Sequence, residues 1–201
     1  MLKVKKIYSS DVVNEPYPFE DEFISSHPKC YVNGRRGESL SAIVIHYAVA
    51  RNLKWLVNYF AKDIYNKDKR TASTHYCVDV DGSTVMMTKF SDTAFTVGDG
   101  GRKNYLKGYS IDNLQGGWWV QPGSGELTNK VNEISVSFET CLYPQDKVTD
   151  KIYESISNRC KYIIRNTNDT RIWRIVGHEH MVPDRKIDPG PQWDWKRFYV
   201  Q

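Results

Sequence analysis

The chain has 201 residues, a length that fits one folded domain with a substantial core. Its 28 Lys and Arg against 24 Asp and Glu give a formal net charge of +4, which is far from a nucleic-acid-binding balance, so nucleic acid is not an expected partner. No apolar stretch follows the charged N-terminus and none is long enough to cross a bilayer, so we expect neither a secretory signal nor membrane insertion.

Synthesis in the cytoplasm follows from that expectation. The four cysteines, Cys30, Cys77, Cys141 and Cys160, form no C-x-x-C pair and are expected to be free thiols.

The first forty residues are rich in proline, serine, glycine and charge, and they predict an irregular arm, 1–40, packed on a domain that spans 41–201. Residues 42–49 are apolar on both faces, which is typical of a buried central strand. His46 interrupts this strand. A lone histidine there is more often a core residue bonded to a carbonyl, and it gains functional weight only with a partner elsewhere.

A helix and a hairpin follow. Asn52 can cap a helix whose apolar residues recur at helical spacing up to Ile64, which predicts a scaffold helix covering the sheet. Residues 74–80 and 83–88 read as two strands around an Asp81-Gly82 turn. The spacing of the acidic residues at this turn does not fit an EF-hand, so the hairpin is the better interpretation.

Residues 98–130 form a long glycine-rich segment that contains the adjacent Trp118 and Trp119. A connection of this length is usually functional or disordered, and two exposed tryptophans are costly in water. We therefore expect an ordered loop that forms part of a groove. Residues 134–139 then alternate strictly, which places Glu139 at the end of a strand on its polar side. A glutamate at a strand end is more often solvated surface than catalytic.

A second helix is predicted over 149–165, and the apolar run 172–176 predicts a strand that ends at Gly177. This order of elements predicts an α/β (α+β) single domain with a central mixed β-sheet flanked by helices. A short C-terminal helix is expected to pack on the core.

The segment 177–191 is a loop stiffened by three prolines, and it follows a strand end, where ligand sites are favoured. His178 and Asp188 offer nitrogen and oxygen donors that suit zinc, and Lys186 would face the same side as Asp188 in an extended loop. A His and an Asp ten residues apart are more often plain surface, and a third ligand must come from elsewhere.

From about residue 42 to 198 the chain resembles the zinc-dependent N-acetylmuramoyl-L-alanine amidases of the type 2 family, which include peptidoglycan recognition proteins and phage endolysins. The segment 177–191 is close to the family loop G-H-x-x-x-x-P-x-R-K-x-D-P-G-P. Further matches are the strand with His46, the pair His75-Tyr76 ahead of the Asp81-Gly82 turn, and Asn132 followed by the strand that ends at Glu139.

The resemblance implies one zinc ion per chain, held by His46, His178 and Asp188, with Glu139 and Lys186 as the catalytic pair. Three protein ligands leave one zinc position for water, and zinc lowers the pKa of that water toward roughly 7. Glu139 would take the proton of the water and pass it to the leaving amine, while Lys186 would stabilise the oxyanion.

Substrate contacts are expected from His75, Thr96, Trp118 and Trp119. Thr96 stands where many relatives carry a histidine, so these contacts depart from the family pattern. His180 fits no family ligand position and is expected behind the ligands or at the surface.

The predicted activity is hydrolysis of the amide between N-acetylmuramic acid and L-alanine in peptidoglycan or a muropeptide, by a monomer. We expect a phage-type endolysin that acts on the wall after release. The alternatives are a cytoplasmic muropeptide-recycling amidase, a non-catalytic peptidoglycan-binding module, and a hydrolase using Cys141 with His46 or His75. Retention of Glu139, Lys186 and Asp188 argues against the binding module, and no supporting motif surrounds Cys141.

Overall fold

The computed structural model of the chain describes residues 17–35, 40, 42–97, 131–166, 174–181 and 186–199. Its strands are β1 (Glu22–Phe23), β2 (Tyr31–Val32), β3 (Ala42–Tyr47), β4 (Tyr76–Val78), β5 (Thr84–Met86), β6 (Thr93–Ala94), β7 (Ser135–Thr140) and β8 (Arg174–Gly177). Six of them form one sheet in the order β1-β5-β4-β7-β3-β8, and β2 pairs with β6. β4 and β5 are antiparallel and the other neighbours in the large sheet are parallel, so the predicted mixed sheet is confirmed.

Helices flank the sheet as predicted. They are α1 (Leu53–Asn58), a π-helical segment (Tyr59–Asp63), α2 (Ile64–Asn66), α3 (Val131–Ile134), α4 (Asp150–Asn166), α5 (His178–Met181) and α6 (Trp195–Tyr199). No helix in these described ranges is long and apolar enough to span a membrane.

One face of the central strand β3 packs in the main core, and the other face carries His46. It pairs in parallel with β7 on one side and with β8 on the other, as expected of a strand that is apolar on both faces. Its side chains alternate: Ile43 and Ile45 join the large cluster with α4 and α6, while Val44 joins a smaller cluster on the opposite face. His46 follows Val44 on that second face.

The neighbouring strand β7 alternates in the same way. Val136 and Phe138 pack in the large cluster, so Ser137 and Glu139 face the other side of the sheet. The register pairs His46 directly with Glu139. Residue 134, predicted as the first strand residue, instead ends the short helix α3.

The first helix begins where the sequence predicted, because the side chain of Asn52 accepts a hydrogen bond from the Trp55 amide at 2.9 Å. It does not continue as one α-helix, since a π-helical segment occupies Tyr59–Asp63. Such segments are rare and often lie at functional sites.

The hairpin is also confirmed, with Gly82 at a φ of +85° in the turn. A side chain at Gly82 would approach the Lys151 carbonyl oxygen to 2.9 Å, so the turn packs closely on the start of α4.

The described part of the N-terminal arm is not wholly irregular. Strand β1 adds to the edge of the sheet by pairing with β5, and β2 pairs with β6. Asp21 forms a buried two-point ion pair with Arg159 of α4, which fixes the arm to the helix layer. The predicted groove loop at 98–130, including Trp118 and Trp119, lies outside the described residues.

Candidate active site

Three side chains converge at the carboxyl ends of β3 and its neighbour β8. His46 is the fifth residue of β3, and His178 directly follows β8. Asp188 lies in the segment 186–191, which contacts the end of β8. The His46 Nδ1 lies 3.0 Å from the His178 Nδ1 and 2.9 Å from the Asp188 Oδ2, and the third distance, His178 Nδ1 to Asp188 Oδ2, is 3.1 Å. All three residues are buried.

Hydrogen bonds alone satisfy this triangle poorly when Asp188 is ionised. If both Nδ1 atoms carry protons, two N–H groups face each other. If one carries a proton, the lone pair of the other nitrogen faces the carboxylate. A cation at the common point receives a lone pair from all three atoms, and two imidazoles with one carboxylate are a donor set that zinc takes in hydrolases. The residues therefore fit a zinc ion.

The backbone behind His178 orients its ring. The His178 Nε2 lies 3.4 Å from the carbonyl oxygen of Val97, so a proton on Nε2 leaves the lone pair on Nδ1, facing His46 and Asp188. The side-chain oxygen of Asn132 accepts from the amides of Thr96 and Val97 at 3.1 and 2.9 Å, which holds that carbonyl in place. Val97 contributes through its backbone carbonyl, which any residue has, so no residue pattern in the sequence could have identified this role.

The Asp188 segment is packed against the end of β8. The Glu179 amide donates to the Asp188 carbonyl at 2.8 Å. Gly177 leaves no room for a side chain, because a Cβ there would lie 2.4 Å from the Cδ of Pro189. Residues 178–181, which were predicted as loop, form the helical turn α5 directly after the strand.

A cavity of about 390 Å³ opens over the three side chains. Glu139 and Lys186 both line it together with His46, His178 and Asp188, so the structure brings all five predicted residues to one place. Most of the other lining residues come from the first helical region and its flanks; they include Val49, Leu56, Tyr59, Phe60, Ile64, Arg70 and Ala72.

Two of the three ligands are already in the protonation state that metal ligation needs. At His46 burial opposes protonation, but the Glu139 and Asp188 carboxylates outweigh it and raise the pKa of the imidazole, so zinc would displace a proton there. Burial and the nearby His46 lower the pKa of His178 to about 4, so this imidazole is neutral. Burial opposes ionisation of Asp188, but its close contacts with His178 and His46 outweigh it and hold the pKa of Asp188 below its usual value. Burial raises the pKa of Glu139 to about 7. A carboxyl group near neutrality can both take and release a proton.

The predicted substrate contacts differ in their placement. Thr96 lines the cavity, and its hydroxyl is buried with no hydrogen-bond partner among the described residues. His75 instead is fully buried and does not line the cavity. Arg35 and Ser137 contact its two ring nitrogens, which argues against the predicted substrate contact.

Two remaining candidates are accounted for by packing. Cys141 is buried outside the cavity, and burial raises the pKa of its thiol to about 12, so it is not a nucleophile near neutral pH. All four cysteines are unpaired, as predicted. The His180 Nδ1 accepts a hydrogen bond from the Gly177 amide at 2.9 Å, so His180 supports the strand end.

A family profile described as N-acetylmuramoyl-L-alanine amidase matches residues 36–191. The 1,6-anhydro-N-acetylmuramyl-L-alanine amidase AmpD of Haemophilus influenzae is 27% identical over 140 residues, which cover 70% of this chain and 61% of that protein. The chain thus spans about three fifths of the length of this curated relative.

Solved structures that share the fold include the following two. A crystal structure of a selenomethionine AmpD derivative aligns with a TM-score of 0.68 at 21% identity, covering 92% of this chain and 95% of that one. The N-acetylmuramoyl-L-alanine amidase LysC from Clostridium intestinale aligns with a TM-score of 0.57 at 13% identity, covering 90% and 96%. At these identities the likeness concerns the fold.

Proposed function

Since the chain belongs to the N-acetylmuramoyl-L-alanine amidase family, we propose that it hydrolyses the amide bond between the muramoyl carbonyl and L-alanine of a peptidoglycan stem peptide. The observation that carries this proposal is the cavity in which the buried cluster of His46, His178 and Asp188 meets Glu139 and Lys186. A set of metal-binding side chains, a carboxyl group with a pKa near neutrality and a cation in one cavity suit metal-assisted amide hydrolysis.

In this proposal His46, His178 and Asp188 hold one zinc ion. When bound, zinc supplies Lewis acidity that activates water and polarises the amide carbonyl. The neutral His178 and the ionised Asp188 are already in the protonation states that ligation needs.

Glu139 and Lys186 carry the proton and charge steps. Glu139 takes a proton from the attacking water and delivers it to the nitrogen of the departing alanine, which its raised pKa favours. Lys186 places its ammonium in the same cavity, where negative charge develops on the carbonyl oxygen. Thr96, which also lines the cavity, is the remaining substrate contact in this proposal.

The residues favour an amide over a glycosidic bond. A glycosidase that works without metal needs two carboxyl groups flanking the glycosidic oxygen. Of the two carboxylates among the described lining residues, Asp188 belongs to the histidine cluster and only Glu139 remains for acid and base chemistry.

The bond assignment is tested by digesting peptidoglycan with purified protein. New alanine amino termini should appear while the amount of reducing sugar stays constant. New reducing ends without new alanine amines would refute the amidase proposal.

Zinc is tested separately, by elemental analysis. We expect about one zinc per chain, loss of activity on chelation, recovery with zinc, and loss of metal in His178→Ala. A metal-free His178→Ala protein with full activity would refute the proposed zinc site.

For the substrate we favour a soluble muropeptide over the intact wall, which revises the expectation of an endolysin. The relative from Haemophilus influenzae is named for a 1,6-anhydro-muramyl substrate, and AmpD also supplies the higher of the two TM-scores above. A lytic role stays the second candidate because LysCS from Clostridium intestinale, which is named as an endolysin, has the same fold.

A paired assay separates these two roles. It compares release of alanine amines from purified 1,6-anhydro-muropeptides with clearing of intact permeabilised cells. Cleavage of the soluble fragments without clearing supports the recycling role, and efficient clearing supports the lytic one.

A further inference from the structure

Val49 adopts a backbone conformation that its side chain disfavours. Its φ is +52°, in the left-handed region. A β-branched residue rarely occupies this region because its side chain crowds the backbone, whereas glycine and asparagine accept it readily. A strained position of this kind calls for a reason.

The fold itself needs only the backbone of Val49. Its amide donates to the Leu142 carbonyl at 3.0 Å, and the preceding amide of Ala48 donates to the Thr140 carbonyl at 2.9 Å. Glycine or asparagine would make the same backbone bonds with less strain. The Val49 side chain is 48% exposed, so its burial against the described residues gives little compensation.

The position of this side chain supplies the reason. Val49 lines the cavity and lies three residues after His46. Ile187, which immediately precedes Asp188, lines the same cavity and is 68% exposed. Two aliphatic side chains are therefore exposed to solvent beside the polar cluster. Covering either of them with an apolar group would be energetically favourable.

We propose that Val49 is a substrate-specificity residue, whose isopropyl group contacts a methyl group next to the scissile amide. This inference rests on the proposed function. The amide of N-acetylmuramoyl-L-alanine is flanked by two methyl groups, one on the lactyl side and one on alanine. The strained backbone holds the isopropyl group at the cavity, whereas glycine or asparagine at this position would offer the methyl group no aliphatic contact.

The test replaces Val49 with residues that accept a positive φ. In Val49→Asn and Val49→Gly we expect KM for a muramoyl-L-alanine tripeptide to rise about tenfold while kcat stays within twofold, because an aliphatic contact adds equally to substrate and transition-state binding. The melting temperature of Val49→Asn should equal or exceed that of the wild type. Val80, which is 45% exposed and does not line the cavity, gives the matched control Val80→Asn, whose KM should not change.

Substrates that lack one methyl group complete the test. One carries glycine in place of alanine and the other a glycolyl in place of the lactyl group. The tenfold loss in the Val49 variants should disappear with at least one of them, since the lost contact is then already absent. An unchanged KM in both Val49 variants, an equal rise in Val80→Asn, or an undiminished loss with both substrates overturns the inference and leaves the amidase proposal intact. A wild-type protein that cleaves no muramoyl-alanine amide refutes the proposed function and this inference with it.

Discussion

Gly177→Ala should weaken zinc binding without touching a zinc ligand. The added Cβ would lie 2.4 Å from the Cδ of Pro189, where ordinary contact begins at 3.4 Å. The proline ring cannot rotate away, so the segment must move by about 1 Å. Asp188 immediately precedes that ring, and such a movement is large beside the spread of about 0.2 Å expected of zinc–ligand distances.

The expected magnitude follows from this displacement. Disturbing the groups that orient a ligand typically weakens metal binding about 10- to 100-fold. The zinc-dependent stabilisation of the variant would then be about 1.4 to 2.7 kcal/mol smaller than that of the wild type. For a chain of this size, the rise in melting temperature on adding zinc should shrink by roughly 3 to 10 °C. The metal-free variant should also lose about 1 to 3 kcal/mol from overpacking.

Calorimetric titration of zinc into the metal-free protein measures the affinity, and thermal melts with and without zinc measure the stabilisation. Gly34→Ala is the matched control. Gly34 has a φ of +75° and nothing within 4 Å of an added Cβ, so this variant loses stability through backbone strain and keeps its zinc affinity. A zinc affinity of Gly177→Ala within threefold of the wild type would refute the idea that packing at this glycine sets the position of Asp188.

Glu139→Gln and Lys186→Ala should keep the fold and the zinc and lose activity by roughly a hundredfold or more, which single-turnover kinetics and elemental analysis on the same samples would measure. Because burial raises the pKa of Glu139 to about 7, the folded protein holds a proton that the unfolded chain releases above roughly pH 4.3. The metal-free wild type should therefore lose stability between about pH 5 and 8. In urea melts over the same range, Glu139→Gln should lose about 2 kcal/mol less unfolding free energy than the wild type. If the unfolding free energies of the two proteins change equally with pH, the raised pKa is contradicted. Asp21→Asn leaves the buried Arg159 uncompensated and should cost about 3 to 5 kcal/mol of unfolding free energy with zinc affinity unchanged, whereas a cost below about 1 kcal/mol would mean that the pair does not anchor the arm.

Features with a local chemical signal were predictable from the sequence. The cap at Asn52, the turn at Gly82 and the buried strand with His46 each follow from a few adjacent residues. His178 and Asp188 stand ten residues apart in a distinctive segment, so the sequence also identified them as a pair.

Other features depend on partners that are distant in the chain. The π-helical segment has no composition of its own, and strand β1 becomes a strand only because β5 offers it an edge. His75 was expected to contact substrate, but Arg35, forty residues earlier, and Ser137, sixty-two residues later, enclose it. Strand alternation placed Glu139 on a polar face, and the register that sets it beside His46 emerges only from the assembled sheet.

The position of β3 also has a consequence for how the chain folds. Its two partners, β7 and β8, lie about ninety and one hundred and thirty residues later in the sequence. Pairings of such long range are slow to form, and an apolar strand that waits for them exposes a surface prone to aggregation. The hydrogen-bonding edges of β3 are covered on both sides only when β8 docks, and the same step brings His178 to His46. Binding of metal would therefore report the docking of β8, and metal captured at that stage would slow the reopening of the sheet.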